Sequence, residues 1–160
     1  MKYNNLNKIP LIDEFIKTYG KTINEKASQV KDAKRLSNLT INFISEEKQP
    51  KSSDSLFDFS EKNFFFKICG NMIAYHEGNC GALNLSKEER FAMIAHELGH
   101  QILVPLTEKD FLKIELLADE MAVQLGLKSH LISGLMKFVS CEGMETINQI
   151  QERIDHWSDK

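Results

Sequence analysis

The stretch AMIAHELGHQIL, Ala92 to Leu103, carries two histidines four residues apart with a glutamate directly after the first. In a helix, positions four apart share one face, so the imidazoles of His96 and His100 project side by side. That spacing suits two nitrogen ligands of one tetrahedral zinc ion. Glu97, rotated by about 100° from His96, lies beside the ligands and can reach a metal-bound water as a base without binding the metal itself. Gly99 lets another backbone or a substrate approach the helix closely. The alternative is an ordinary amphipathic helix whose two histidines are satisfied by neighbours.

A catalytic zinc takes three protein ligands and leaves one position open. Downstream, KIELLADEMAVQLG offers Glu115, Asp119 and Glu120. Glu115 and Asp119 share a helix face, which makes Glu115 the economical third ligand. Asp119, one turn on, then accepts the free N–H of a ligating histidine and fixes its ring. Asp119 or Glu120 as the direct ligand is the rival assignment, and a solvated acidic face is the plainer one. Fourteen residues separate His100 from Glu115, enough for a tight helix–loop–helix. Ala118 and Ala122 keep the second helix slim enough to pack close to the first.

Working outward, SKEE offers Ser86 as N-cap with Glu89 three residues on, the start of a helix running to about Leu103, where Pro105 stops it. TEKD opens another helix near Thr107 that ends around Gly126, and SHLISGLMKFV and METINQIQERIDHW supply two more. Upstream, LTINFIS (Leu39 to Ser45) alternates with period two, and FFFKI and NMIAYHE also read as strands. A turn at EGNCG and a short strand ALNL (Ala82 to Leu85) follow. Ile9 to Leu36 is loosely helical, broken by Pro10 and Gly20, and SEEKQPKSSDS (Ser45 to Ser55) reads as a flexible connection. The expectation is a single α+β domain over 1–160: a helical part at 1–38, a small mixed or antiparallel sheet at 39–85, and a helical part with the metal site at 86–157.

A chain of 160 residues is long enough to bury a core, and its net charge of −3, with basic residues dispersed among acids, points away from nucleic acid. The first residues lack the apolar run of a signal peptide, and no apolar stretch is long enough to span a membrane. Three cysteines, Cys69, Cys80 and Cys141, do not make a disulfide framework. These features together suggest a reduced, cytoplasmic, soluble protein.

HELGH followed by ELLADEMAVQLG resembles the gluzincin metallopeptidases, whose second motif is Glu-x-x-x-Asp. The closer likeness is to the CAAX-prenyl-protease and HtpX-like group and its small soluble forms, the minigluzincins. ERFAMIAHELGH is also similar to the ImmA/IrrE-type peptidases. The likeness covers Leu83 to about Lys137. It implies a zincin-like fold, one Zn²⁺ per chain and a peptide or protein substrate. In the prenyl-protease-like group a later segment reads His-Pro…Arg-Ile; here Arg153-Ile154 is present without the His-Pro. By that resemblance Arg153 binds substrate or the oxyanion, the alternative being a surface arginine. The larger relatives carry membrane helices that this chain lacks.

On this reading zinc held by His96, His100 and Glu115 activates water and polarises the scissile carbonyl, and Glu97 moves the proton to the leaving amine. Tyr75, His76, His130 and His156 are candidate oxyanion donors. Ala82, Leu83, Asn84 and Leu85, as an edge strand, would line the substrate groove by pairing with an extended peptide. Cys80 is either a thiolate able to cap the zinc or a small buried thiol. Two further functions stay open: a zinc-binding regulatory or interaction domain with little proteolysis, and an ImmA/IrrE-like protease acting on a single regulator protein.

Overall fold

The computed structural model describes residues 1–45, 66–139 and 144–159. Most of the connection expected at Ser45 to Ser55, together with Phe64, Phe65 and Cys141, lies outside these residues. The fold is α+β, with seven helices and a four-stranded mixed sheet among the described residues. No described helix is long and apolar enough to cross a membrane. The chain divides into two compact units, Met1–Ala82 and Leu83–Lys160.

The first unit contains strand β1 (Lys2–Asn5), helices α1 (Pro10–Ala27) and α2 (Ala33–Ser37), strands β2 (Thr40–Ser45), β3 (Phe66–Cys69) and β4 (Met72–Tyr75), and helix α3 (Glu77–Ala82). The sheet order is β1-β2-β4-β3. β1 and β4 each run parallel to β2, and β3 runs antiparallel to β4. α1 buries Ile12, Phe15 and Ile23 completely, on the same footing as Ile41, Phe43 and Ile73 of the sheet. Each such side chain contributes roughly 1.5–3 kcal/mol of transfer free energy.

Three expectations for the chain up to Leu85 need correction. The 1–38 segment is not purely helical, because it opens with β1. Its short polar sequence KYNN offers little apolar alternation, and the strand is held by parallel pairing with β2. Pro10 and Gly20 do not break α1. Pro10 occupies its first turn, where a missing N–H costs nothing, and Gly20 is buried within it. The roughly 1 kcal/mol cost of an internal glycine is outweighed by the buried stripe around it.

The third correction concerns EGNCG and ALNL, which form no turn-and-strand pair. EGNCGA is helix α3, started by His76, whose Nδ1 accepts from the Asn79 N–H at 3.1 Å. Asn84 then sits at φ +53°, a left-handed conformation incompatible with a strand. The carbonyls of Asn84 and Leu85 accept from Lys137 Nζ at 2.8 Å and Arg90 Nε at 3.0 Å. The Ala82–Leu85 edge expected to pair with a substrate peptide is therefore not a strand edge, and the groove inferred from it falls away. Cys80, in α3, is a buried thiol.

In the second unit α4 (Lys87–Ile102) packs against α5 (Phe111–Gln124) and α6 (Lys128–Val139), and α7 (Met144–Ser158) packs on α6 and α5. The capping box at the start of α4 is present as the sequence suggests. Ser86 Oγ accepts from Glu89 N at 3.1 Å, and Glu89 Oε2 accepts from Ser86 N at 3.3 Å. α4 is buried nearly all round, through Phe91, Ala92, Met93, Ile94, Ala95, Leu98 and Ile102. α5 starts later than Thr107, because Asp110 caps it by accepting from Lys113 N at 3.0 Å. Glu108 meanwhile folds back to accept from the N–H groups of Lys109 and Asp110, keeping TEKD outside the helix.

Candidate metal centre

The pairing of α4 with α5 sets the geometry of the site. A Cβ on Gly99 would meet the Ala118 Cα at 2.8 Å and the Ala118 carbonyl oxygen closer still. The two backbones are thus in direct contact, which only glycine permits, and Ala118 and Ala122 are fully buried beside it. This approach brings the histidine face of α4 against the carboxylate face of α5.

The structure brings His96, His100 and Glu115 together, with one donor atom of each lying within 4.8 Å of the others. His96 Nε2 is 3.1 Å from His100 Nε2 and 3.4 Å from Glu115 Oε2, and His100 Nε2 is 3.4 Å from Glu115 Oε1. A tetrahedral zinc with bonds of about 2.0–2.1 Å needs donor atoms roughly 3.3–3.4 Å apart, so the imidazole pair, and each imidazole with its nearer Glu115 oxygen, stand close to the spacing such an ion takes. They are two nitrogens and a carboxylate, a donor set suited to zinc.

Asp119 occupies the position expected of an orienting group. It is completely buried, and its Oδ1 accepts from His96 Nδ1 at 2.7 Å, leaving His96 Nε2 turned toward His100 and Glu115. Glu120, the rival ligand, is bonded instead to the Gln124 side chain at 3.2 Å. Glu97 is half-buried on α4, and its charge helps keep Arg153 ionised.

Arg153 is not the surface residue that the plainer reading of α7 supposes. Its side chain is only 11% exposed. Nε and Nη2 donate to the two oxygens of Asp119 at 2.9 and 2.6 Å, and Nη1 lies 3.2 Å from Glu115 Oε2. All three guanidinium nitrogens face carboxylates of α5. The indole N–H of Trp157 completes the set, donating to Asp119 Oδ2 at 3.2 Å. Asp119 thereby accepts four hydrogen bonds, as many as its lone pairs allow.

Sequence reasoning missed Trp157. The available signal was its i, i+4 relation to Arg153, which sets both on one face of an amphipathic helix. Of the candidate oxyanion donors, His156 lies edge-on to Trp157 with ring centroids 4.7 Å apart, and His130 is half-buried on α6. Tyr75 and His76 belong to the first unit, where Tyr75 stacks on Phe66 and His76 caps α3.

The electrostatics follow from this packing. Burial opposes a charge on His96, yet hydrogen bonds to Asp119 and Glu115 outweigh it and hold the imidazolium up to about 10. Burial, and then the neighbouring His96 charge, press His100 down to about 4. Burial also works against ionising Glu115 and Asp119. The His96 hydrogen bond and charge, reinforced by Arg153, nevertheless keep Glu115 below the usual carboxylate range and Asp119 down to about 2. Without a metal, one proton on His96 and the Arg153 cation balance the Glu115 and Asp119 carboxylates.

No model of a known protein family, no curated protein and no solved structure matches the chain.

Proposed function

We propose that the chain is a zinc-dependent metallopeptidase with a zincin-like, gluzincin-type site, in which His96, His100 and Glu115 hold one Zn²⁺. The reading is carried by one observation. Donors from two helices converge: His96 Nε2 is 3.1 Å from His100 Nε2, each of these nitrogens is 3.4 Å from a different oxygen of Glu115, and the remaining nitrogen of His96 is tied to a buried carboxylate. An ordinary amphipathic helix has no use for such convergence.

Zinc held there would polarise a peptide carbonyl and bring the pKa of water toward about 7. Glu97, next to His96 and half-exposed, takes the proton from the attacking water and hands it to the leaving amine. Asp119 holds the His96 ring in the tautomer that presents Nε2. Arg153 braces both acidic side chains of α5 and acts through them, in place of the direct substrate contact that the family resemblance implies. The substrate is a peptide or protein, consistent with a cytoplasmic setting.

Metal analysis of the purified protein combined with a peptide-library digest tests this reading. The expected result is about one zinc per chain in wild type and in Glu97→Gln, with cleavage by the wild type alone. Stoichiometric zinc with an inert wild type would favour a zinc-binding interaction domain, and no bound zinc would remove both readings.

A further inference from the structure

The metal-ligand geometry does not end with α4 and α5, because the carboxylate that orients His96 is gripped from a third helix. Both Asp119 oxygens are engaged by α7: Oδ1 by Arg153 Nη2, Oδ2 by Arg153 Nε and by Trp157 Nε1. Trp157 is 8% exposed, and Ile150 and Ile154 are buried on the same helix. The packing of α7 thus holds the Trp157 indole against Asp119. The two-point Arg153–Asp119 pair sets the plane of the carboxylate, and a third donor from a rigid ring holds it there.

We propose that Trp157 is a positioning residue of the metal centre: its indole N–H, acting with Arg153, locks the Asp119 carboxylate and through it the His96 ring, so that docking of α7 sets the affinity of the site for its cation. The proposal rests on the metal reading above and adds to it a part of the chain that carries no ligand. A purely structural tryptophan would contribute to folding and leave zinc affinity unchanged once the protein is folded.

The chain has a single tryptophan, so a nitrogen-correlated NMR spectrum of the full-length protein contains one indole N–H signal. Titration of the metal-free protein with zinc chloride should shift that signal and saturate at one equivalent. Trp157→Phe, which keeps the apolar ring and deletes the donor, should bind zinc roughly tenfold more weakly in chelator competition, the lower end of what removing such outer contacts costs. Should Trp157→Phe not fold, the response of the wild-type indole signal to zinc carries the test alone. An indole signal that stays still while zinc binds at one equivalent overturns the proposal and leaves the metal centre intact, as does wild-type affinity in the folded variant. A wild type that binds no zinc, with Glu115→Ala indistinguishable from it, overturns the metal reading and this inference with it.

Discussion

Gly99 of α4 lies against the backbone of Ala118 of α5 so closely that a Cβ at position 99 would stand 2.8 Å from the Ala118 Cα. The contact falls between the two halves of the site, next to His100 on one helix and Asp119 on the other. Gly99→Ala should push the helices apart and cost about 1–3 kcal/mol, the usual range for overpacking. Zinc affinity should fall with stability, because the Glu115 carboxylate moves away from both imidazoles. Thermal denaturation and chelator competition on the same preparation measure the two effects.

Asp119 is where the hydrogen bonds of three helices meet, so Asp119→Asn is the sharpest change of charge that keeps shape. It leaves the Arg153 guanidinium buried with Glu115 as its one close carboxylate, and loss of one member of a buried pair costs about 3–5 kcal/mol. It also replaces the anionic acceptor of the His96 Nδ1–H by a neutral amide that has only one accepting oxygen, which should weaken zinc binding about 10–100-fold. Unfolding by denaturant and zinc competition check the two parts.

The proton on His96 makes a pH prediction with a definite sign. Zinc needs the neutral ring, so binding releases one proton wherever metal-free His96 is protonated and His100 is not, between about 4 and about 10. Across the neutral range affinity should rise about tenfold per pH unit, and calorimetry in buffers of different ionisation enthalpy should count about one proton per zinc. The folded-state value of His96 lies above its unfolded value of about 6.5. Its protonation therefore stabilises the metal-free fold fully below that pH, and the contribution is lost as pH rises through about 10. Metal-free protein should lose thermal stability from neutral to alkaline pH, and zinc-loaded protein should not share that loss.

Removing the metal should destabilise the second unit. With free zinc at about a thousandfold its Kd, mass action contributes roughly 4 kcal/mol to the folded state. Adding a chelator to zinc-loaded wild type should lower Tm accordingly, and Glu115→Ala should be nearly indifferent to it. Differential scanning calorimetry with and without the chelator makes the comparison.

The helical part was readable where side-chain spacing and backbone chemistry agree. Ser86 and Glu89 marked the start of α4, and Gly99, Ala118 and Ala122 announced the close packing of the two helices. Glu115 and Asp119 took their separate places because one helical turn separates a side chain facing Nε2 from one facing Nδ1. The rest was hidden for one local and two non-local reasons. EGNCGA looks like a turn because its glycines disfavour helix, and the stabilising cap comes from a histidine, an unusual residue for that role. KYNN becomes a strand only by pairing with β2, a non-local event invisible to periodicity. Arg153 looks like a surface residue because the partners that bury it lie 34 and 38 positions away.

The central claim, that one cation sits between α4 and α5, is tested most directly by anomalous diffraction at the zinc edge from crystals grown with zinc. A single strong peak is expected about 2.0–2.2 Å from His96 Nε2, His100 Nε2 and a Glu115 carboxylate oxygen, with Asp119 still bonded to His96 Nδ1. A peak elsewhere, or well-ordered His96, His100 and Glu115 side chains with no anomalous density between them, would contradict it.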